Sequence, residues 1–186
     1  GDYARQVLVQ TWAYLDVDGD AATGQPLQQG GIGADYAVLV TPTAYSLYRW
    51  QPSSGYAVAN GVAAHFASDF GADTHEVGVA LADVGDPAAV TLLVEQLYYD
   101  GTAAAPAFDY APDSGSVAYD LRAAGPAPGQ GETAATDPDD PAIPVDLAGV
   151  SLAHDDSTLF VRYTYHGDYA PDSPVATSLF LDVDDD

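Results

Sequence analysis

Asp16, Asp18 and Asp20 alternate along the string LDVDGDAATG. Two carboxylates about 5 Å apart at an effective dielectric of about 20 repel by roughly 3 kcal/mol. A bare loop of this kind is therefore strained or partly protonated. A hard divalent cation relieves it, and an all-oxygen donor set selects Ca2+ over zinc or copper. The spacing is that of the first three ligand positions of an EF-hand loop, but the twelfth position is Leu27 where that loop uses Glu. A further ligand must come from elsewhere in the chain. The competing reading is a solvated acidic turn in an already acidic protein.

The same loop returns at the end of the sequence. Residues 1–20 (GDYARQVLVQTWAYLDVDGD) and 167–186 (GDYAPDSPVATSLFLDVDDD) are identical at 11 of 20 positions, at an offset of 166 residues. A period of this length is too long for a solenoid unit and suits one whole domain per repeat. The chain thus reads as about one unit plus the start of the next, a window on a tandem array. Asp182, Asp184 and Asp186 form the second acidic run, cut before its distal ligands, and a weaker or empty Ca2+ site is expected there.

The elements that must position these loops read as strands. In residues 7–15 the odd positions Val7, Val9, Thr11, Ala13 and Leu15 form one face, matched in the second copy by Ser173, Val175, Thr177, Leu179 and Leu181. That face is assigned to the core and the even face (Gln10, Trp12, Tyr14) to a less buried surface. Residues 34–41 and 45–51 read as a hairpin. A Pro-Ser-Ser-Gly turn and strands at 56–60, 62–68, 74–81, 90–99 and 117–121 follow. Residues 123–144, with five prolines and no aromatic, read as a linker or long surface loop. A hairpin at 149–166 and a strand at 176–183 follow it. The expected domains are 1–122, a unit lacking its first hairpin; 123–144, the linker; and 145–186, the opening of the next unit. That last segment could instead complete 1–122 or a neighbouring chain by strand addition. The expected fold is all-β, an antiparallel β-sandwich of two sheets, jelly-roll or Ig-like.

Composition excludes several functions. There are 28 acids, 25 of them Asp, against four Arg and no Lys, for a net charge of -24. Such a surface repels phosphate backbones, so nucleic acid is a poor partner, and it keeps a crowded array apart. The absence of Cys rules out disulfides and thiolate chemistry. No apolar run is long enough to span a membrane as a helix. The four histidines (65, 75, 154, 166) show no metal-pair spacing, and no nucleophile elbow or phosphate loop is present, so no catalytic residue is assigned. Trp12, Tyr48, Trp50 and Tyr56 could make a sugar platform, with Tyr48 and Trp50 on one strand face. Trp12 becomes Ser178 in the second copy, which favours packing over a sugar site in every unit. Asp109 and Asp113, and Asp168 and Asp172, flank a proline in identical hexamers and read as turn-formers. Asp137, Asp139 and Asp140 read as charge on the linker.

The strings LDVDGDAATG, GIGADYAVLV and LYRW resemble the β-sandwich domains of the DOMON and family-9 carbohydrate-binding-module type. GVSLAHDDSTLFVRYTYHG looks like the opening hairpin of such a domain and FDYAPDSGSVAYDL like its closing loop and strand, in permuted order. The resemblance implies a secreted domain, appended in series to surface proteins or hydrolases, with sugar or haem as ligand in some members. A haem site fits poorly, as the chain has no Met and no evident axial pair. Asp35, in the GADY segment that resembles the family's motif, is the expected additional Ca2+ ligand, with backbone carbonyls near Ala22. Together these expectations describe a non-catalytic extracellular or cell-surface repeat, stabilised by Ca2+, building a fibre, stalk or adhesin. Its partners would be copies of itself or adjacent repeats, and the alternative is a polysaccharide-binding module.

Overall fold

The computed structural model describes residues 8–41, 44–59, 65–70, 73–99, 105–127, 129–141 and 145–167. The second copy of the repeated segment, with Asp182, Asp184 and Asp186 and the strand expected at 176–183, lies outside the described residues, as do Val7, Asp168 and Asp172.

Alternating and β-branched runs give strands throughout. In chain order these are β1 (Leu8–Asp16), β2 (Gln25–Leu27), β3 (Ile32–Ala34), β4 (Tyr36–Thr41), β5 (Ala44–Gln51), β6 (Gly55–Val58), β7 (His65–Phe70) and β8 (Asp73–Ala80). A 3-10 turn, Leu81–Val84, follows. Then come β9 (Ala89–Tyr99), β10 (Ala107–Ala111), β11 (Val117–Asp120), β12 (Glu132–Thr136), β13 (Asp146–His154) and β14 (Thr158–His166). The fold is all-β, and every pairing is antiparallel. One sheet runs β10-β9-β1-β4-β5-β6, with β11 also on β9; the other runs β12-β13-β14-β8-β7; β2 and β3 form a small ribbon. No helix among the described residues is long and apolar enough to cross a membrane.

The two sheets share one core. Val9, Ala13 and Leu15 of β1 and Leu92 and Val94 of β9 pack in the same cluster as Val77 and Val79 of β8, Val150 and Leu152 of β13 and Val161 of β14. The odd face of β1 is therefore the inward face. Its one polar member, Thr11, is buried, donates to Gln96 Oε1 and lies 2.9 Å from Tyr165 Oη of the other sheet. The hydroxyl thus meets the requirement that a buried polar atom find a partner.

The even face of β1 differs from expectation. Tyr14 is buried, because the β2–β3 ribbon folds over it and places Ile32 and Ala34 beside it, with Ala37 and Leu93. Trp12 is half-buried and stacks on Tyr14 at 6.1 Å. Central strands covered on both faces lose their alternation, and β9, with Leu92 and Leu93 both buried, shows the same effect.

Residues 123–144 also depart from the linker reading. β12 lies inside them and pairs with β13 from Glu132↔Leu152 to Thr136↔Gly149, through a register shift at Thr133/Ala135. Proline at 126, 128, 138, 141 and 144 flanks this strand without entering it, so the ladder keeps its donors. The β13–β14 hairpin pairs with β8 of the same chain, from Thr158↔Ala80 to Thr164↔Thr74.

Candidate metal centre

The acidic loop begins where β1 ends. Asp16 is the last residue of β1, flanked by pairing to β9 through Thr91, and it is 4% exposed. Asp18 stands in solvent two residues on, and Asp35 is half-buried between β3 and β4. Asp35 is fixed through its backbone: its amide donates to Leu15 O at 2.9 Å, and its carbonyl accepts from Trp50 at 2.7 Å. The chain thus returns to the end of β1 and brings Asp16, Asp18 and Asp35 together. One carboxylate oxygen from each lies within 4.8 Å of the others.

Asp20 is not in this trio. Its carboxylate accepts the Ala22 amide at 2.9 Å, an Asx-type turn, and its carbonyl accepts both the amide and the hydroxyl of Thr23 at 2.9 Å. The Thr23 hydroxyl also reaches the Asp18 carboxylate at 2.9 Å, which holds Asp18 in place. Gly19 donates to Asp16 at 2.7 Å and Val17 to Asp35 at 3.1 Å. Burial raises the Asp35 carboxyl above the ordinary carboxylate range. The Val17 amide opposes this, while the negative charges of Asp18 and Asp16 add to it.

Two glycines make the loop's return possible. Gly24 has φ 67°, and a Cβ there would lie 2.6 Å from the Ala34 backbone; a Cβ on Gly33 would lie 1.9 Å from Thr23 O. Backbone packs on backbone here, which only glycine permits. These glycines lie in the GDAATG and GIGADY strings, though no role was expected of them from sequence.

A groove beside the carboxylates is lined by Asp18, Asp35, Gly24, Arg49 and Trp50. The aromatics expected as a sugar platform pack on one another. Trp50 meets Tyr56 edge-on at 5.3 Å, Tyr48 is tilted against Trp12 at 5.7 Å, and Tyr14 meets Tyr56 at 6.3 Å. All but Tyr14 are half-buried. Burial, and then the Asp35 charge, raise the Tyr56 phenol, so it stays protonated.

The histidines do not converge. His75 is buried against Tyr165, His154 Nδ1 lies 3.0 Å from Tyr119 Oη, and His166 Nε2 lies 2.9 Å from Asp137 O. The His65 side chain lies outside the described residues. Compared with protein-family models, with curated proteins and with solved structures, the chain matches none of them. The DOMON and family-9 resemblance therefore stands on the residue strings alone.

Proposed function

We propose that this chain is a non-catalytic, extracellular β-sandwich repeat domain, of jelly-roll or Ig-like type, stiffened by Ca2+ and built into an extended surface structure. The single observation that carries this reading is the convergence of Asp16, Asp18 and Asp35 at the end of central strand β1, with ligand oxygens within 4.8 Å. Oxygen donors of this number suit a hard cation, and carbonyls and water complete six to eight ligands. A cation held there ties the loop to β1, β4 and β5 at once, through Asp16, Asp35 and the Trp50 amide. The acidic surface keeps neighbouring units apart, and the repeated twenty-residue segment is what suggests an array. Exchange of the β13–β14 hairpin between units belongs to the same proposal, since that hairpin supplies the partner of β8.

The test is thermal melting of the chain in Ca2+ and in EDTA. The reading expects a higher melting temperature in Ca2+. An unchanged melting temperature would sink it.

A sugar-binding module is the second reading. It is favoured by the half-buried Trp12, Tyr48 and Trp50 on the outer face of the first sheet, beside the groove at Asp35. Polysaccharide binding that disappears in Trp50→Ala would support it. Against it, Trp50 meets Tyr56 edge-on, so these two rings do not offer one flat stacking face.

A further inference from the structure

A second group of acids meets where the edges of the two sheets come together. Asp109 lies on β10 of the first sheet and Asp113 in the turn after it. Asp137 follows β12, and Asp146 begins β13 of the second sheet. Asp109, Asp137 and Asp146 are 6%, 6% and 2% exposed. One oxygen each from Asp109, Asp113 and Asp137 lies within 4.8 Å of the others. The carboxyls of Asp137 and Asp146 are both within hydrogen-bonding reach of that of Asp109.

No arginine among the described residues offsets these charges, and the one imidazole beside them, His166, is raised above its ordinary value by its hydrogen bond to the Asp137 carbonyl and then by the Asp146, Asp139 and Asp137 charges. Arg49 lies over Tyr36, Arg122 pairs with Asp120, and Arg162 lies beside Glu76. His166 uses Nε2 on the Asp137 carbonyl. Backbone amides satisfy part of the cluster: Leu147 and Tyr110 donate to Asp109 at 2.7 and 2.9 Å, and Asp140 donates to Asp146 at 2.8 Å. Two other oxygens, Asp137 Oδ1 and Asp146 Oδ1, are buried and have no hydrogen-bond partner. A buried acceptor left unmade is costly, and a buried carboxylate more so. In the protein alone, burial and then the Asp109 and Asp113 charges push Asp137 up to about 7. Two buried, unpartnered oxygens facing further carboxylates are what a bound cation would satisfy.

We propose that Asp109, Asp113, Asp137 and Asp146 form a second divalent-cation site, of the all-oxygen class that takes Ca2+, which clamps the edge of one sheet to the other. The donors come from β10 and its turn on one side, and from the ends of β12 and β13 on the other. The site would therefore reinforce the hydrogen bond from the Leu147 amide to Asp109 that already joins the two sheets at this edge. The Asp139, Asp146 and His166 grouping, whose donor atoms also lie within 4.8 Å, contains an imidazole and would favour a softer ion.

The experiment is calorimetric titration of the full chain with Ca2+, comparing wild type with Asp137→Asn, Asp113→Asn and Asp16→Asn. The proposal expects Asp137→Asn and the exposed, fold-neutral Asp113→Asn each to lose one binding event that Asp16→Asn retains. It is overturned if both variants bind Ca2+ with unchanged number and affinity. Loss in Asp137→Asn with no loss in Asp16→Asn would leave this site standing and remove the one at β1. Melting gives an independent sign. Asp137→Asn should melt above wild type in EDTA, where it relieves repulsion, and below it in Ca2+, where it removes a ligand. A variant that melts above wild type in both conditions overturns the clamp. Zn2+ binding that needs His166, with no Ca2+ binding, overturns the choice of ion.

Discussion

Thr11 Oγ1 lies 2.9 Å from Tyr165 Oη, a hydrogen bond thrown across the core from the middle of one sheet to the other. The Thr11 hydroxyl gives its own proton to Gln96, so the Tyr165 hydroxyl is the donor in this contact. Tyr165→Phe removes one neutral hydrogen bond and should cost about 1 kcal/mol. Thr11→Val, similar in shape, removes both bonds and leaves the Gln96 oxygen buried without that donor; it should cost about 3 kcal/mol. Urea denaturation of the two variants checks the order. Equal losses would mean that the Gln96 bond carries nothing.

At the end of β1, Asp16→Asn and Asp35→Asn should each abolish the Ca2+-dependent rise in melting temperature. Asp20→Asn should keep most of it, because the Asp20 carboxylate caps a turn and is absent from the trio. Melting curves in Ca2+ and EDTA for the three variants decide this. A loss in Asp20→Asn as complete as in Asp16→Asn would place Asp20 among the ligands.

Gly33→Ala tests how the loop is held. Its Cβ would sit 1.9 Å from Thr23 O, so backbone must move. The expected cost is about 2 kcal/mol or more, together with weaker Ca2+ binding, since Thr23 also holds Asp18. Gly31→Ala is the control for space, although its φ of 67° adds strain of its own.

Acid should weaken the fold through His75. It is 1% exposed, with Tyr165 edge-on at 5.5 Å and Tyr163 opposite on β14. Burial lowers its pKa to about 4 from 6.5. Between those values the unfolded chain binds a proton that the folded chain does not. The contribution is therefore fully present above pH 6.5 and is lost as pH falls toward 4, up to about 3 kcal/mol. Urea midpoints at pH 7 and 4.5 for wild type and His75→Gln measure it. If both proteins lose the same amount, His75 is not the acid-sensitive group.

How much of this was legible depends on the range over which the information acts. The alternation from Val9 to Leu15 marked the core face of β1, because a strand's facing is set by its own period of two. The pairing of β4 with β5 was readable from two apolar runs and a short turn. Tyr14 was assigned to a surface face because its cover, Ile32 and Ala34, arrives by a fold of the β2–β3 ribbon that no local pattern encodes. β12 was hidden for a different reason: five residues, ETAAT, are too short and too small to stand out among flanking prolines. At the acidic loop, spacing alone gave Asp16 and Asp18 but could not separate them from Asp20, whose carboxylate turns back onto Ala22. Asp35 came through its resemblance to a family motif. Asp109 and Asp137 read as turn and linker residues and Asp146 fell outside the expected strands, since only the packing of two sheets brings them together.

The strand hidden in the proline-rich stretch changes how this domain would carry tension. Glu132 pairs with Leu152 at one end of β13, and His166 pairs with Asp146 at the other. A pull between Glu132 and His166 therefore runs along the strands, and it loads the ladder bonds on both sides of β13 together in shear instead of opening them one at a time. Under load these residues would behave as part of a stiff element, and any slack in a chain of such units would have to come from elsewhere.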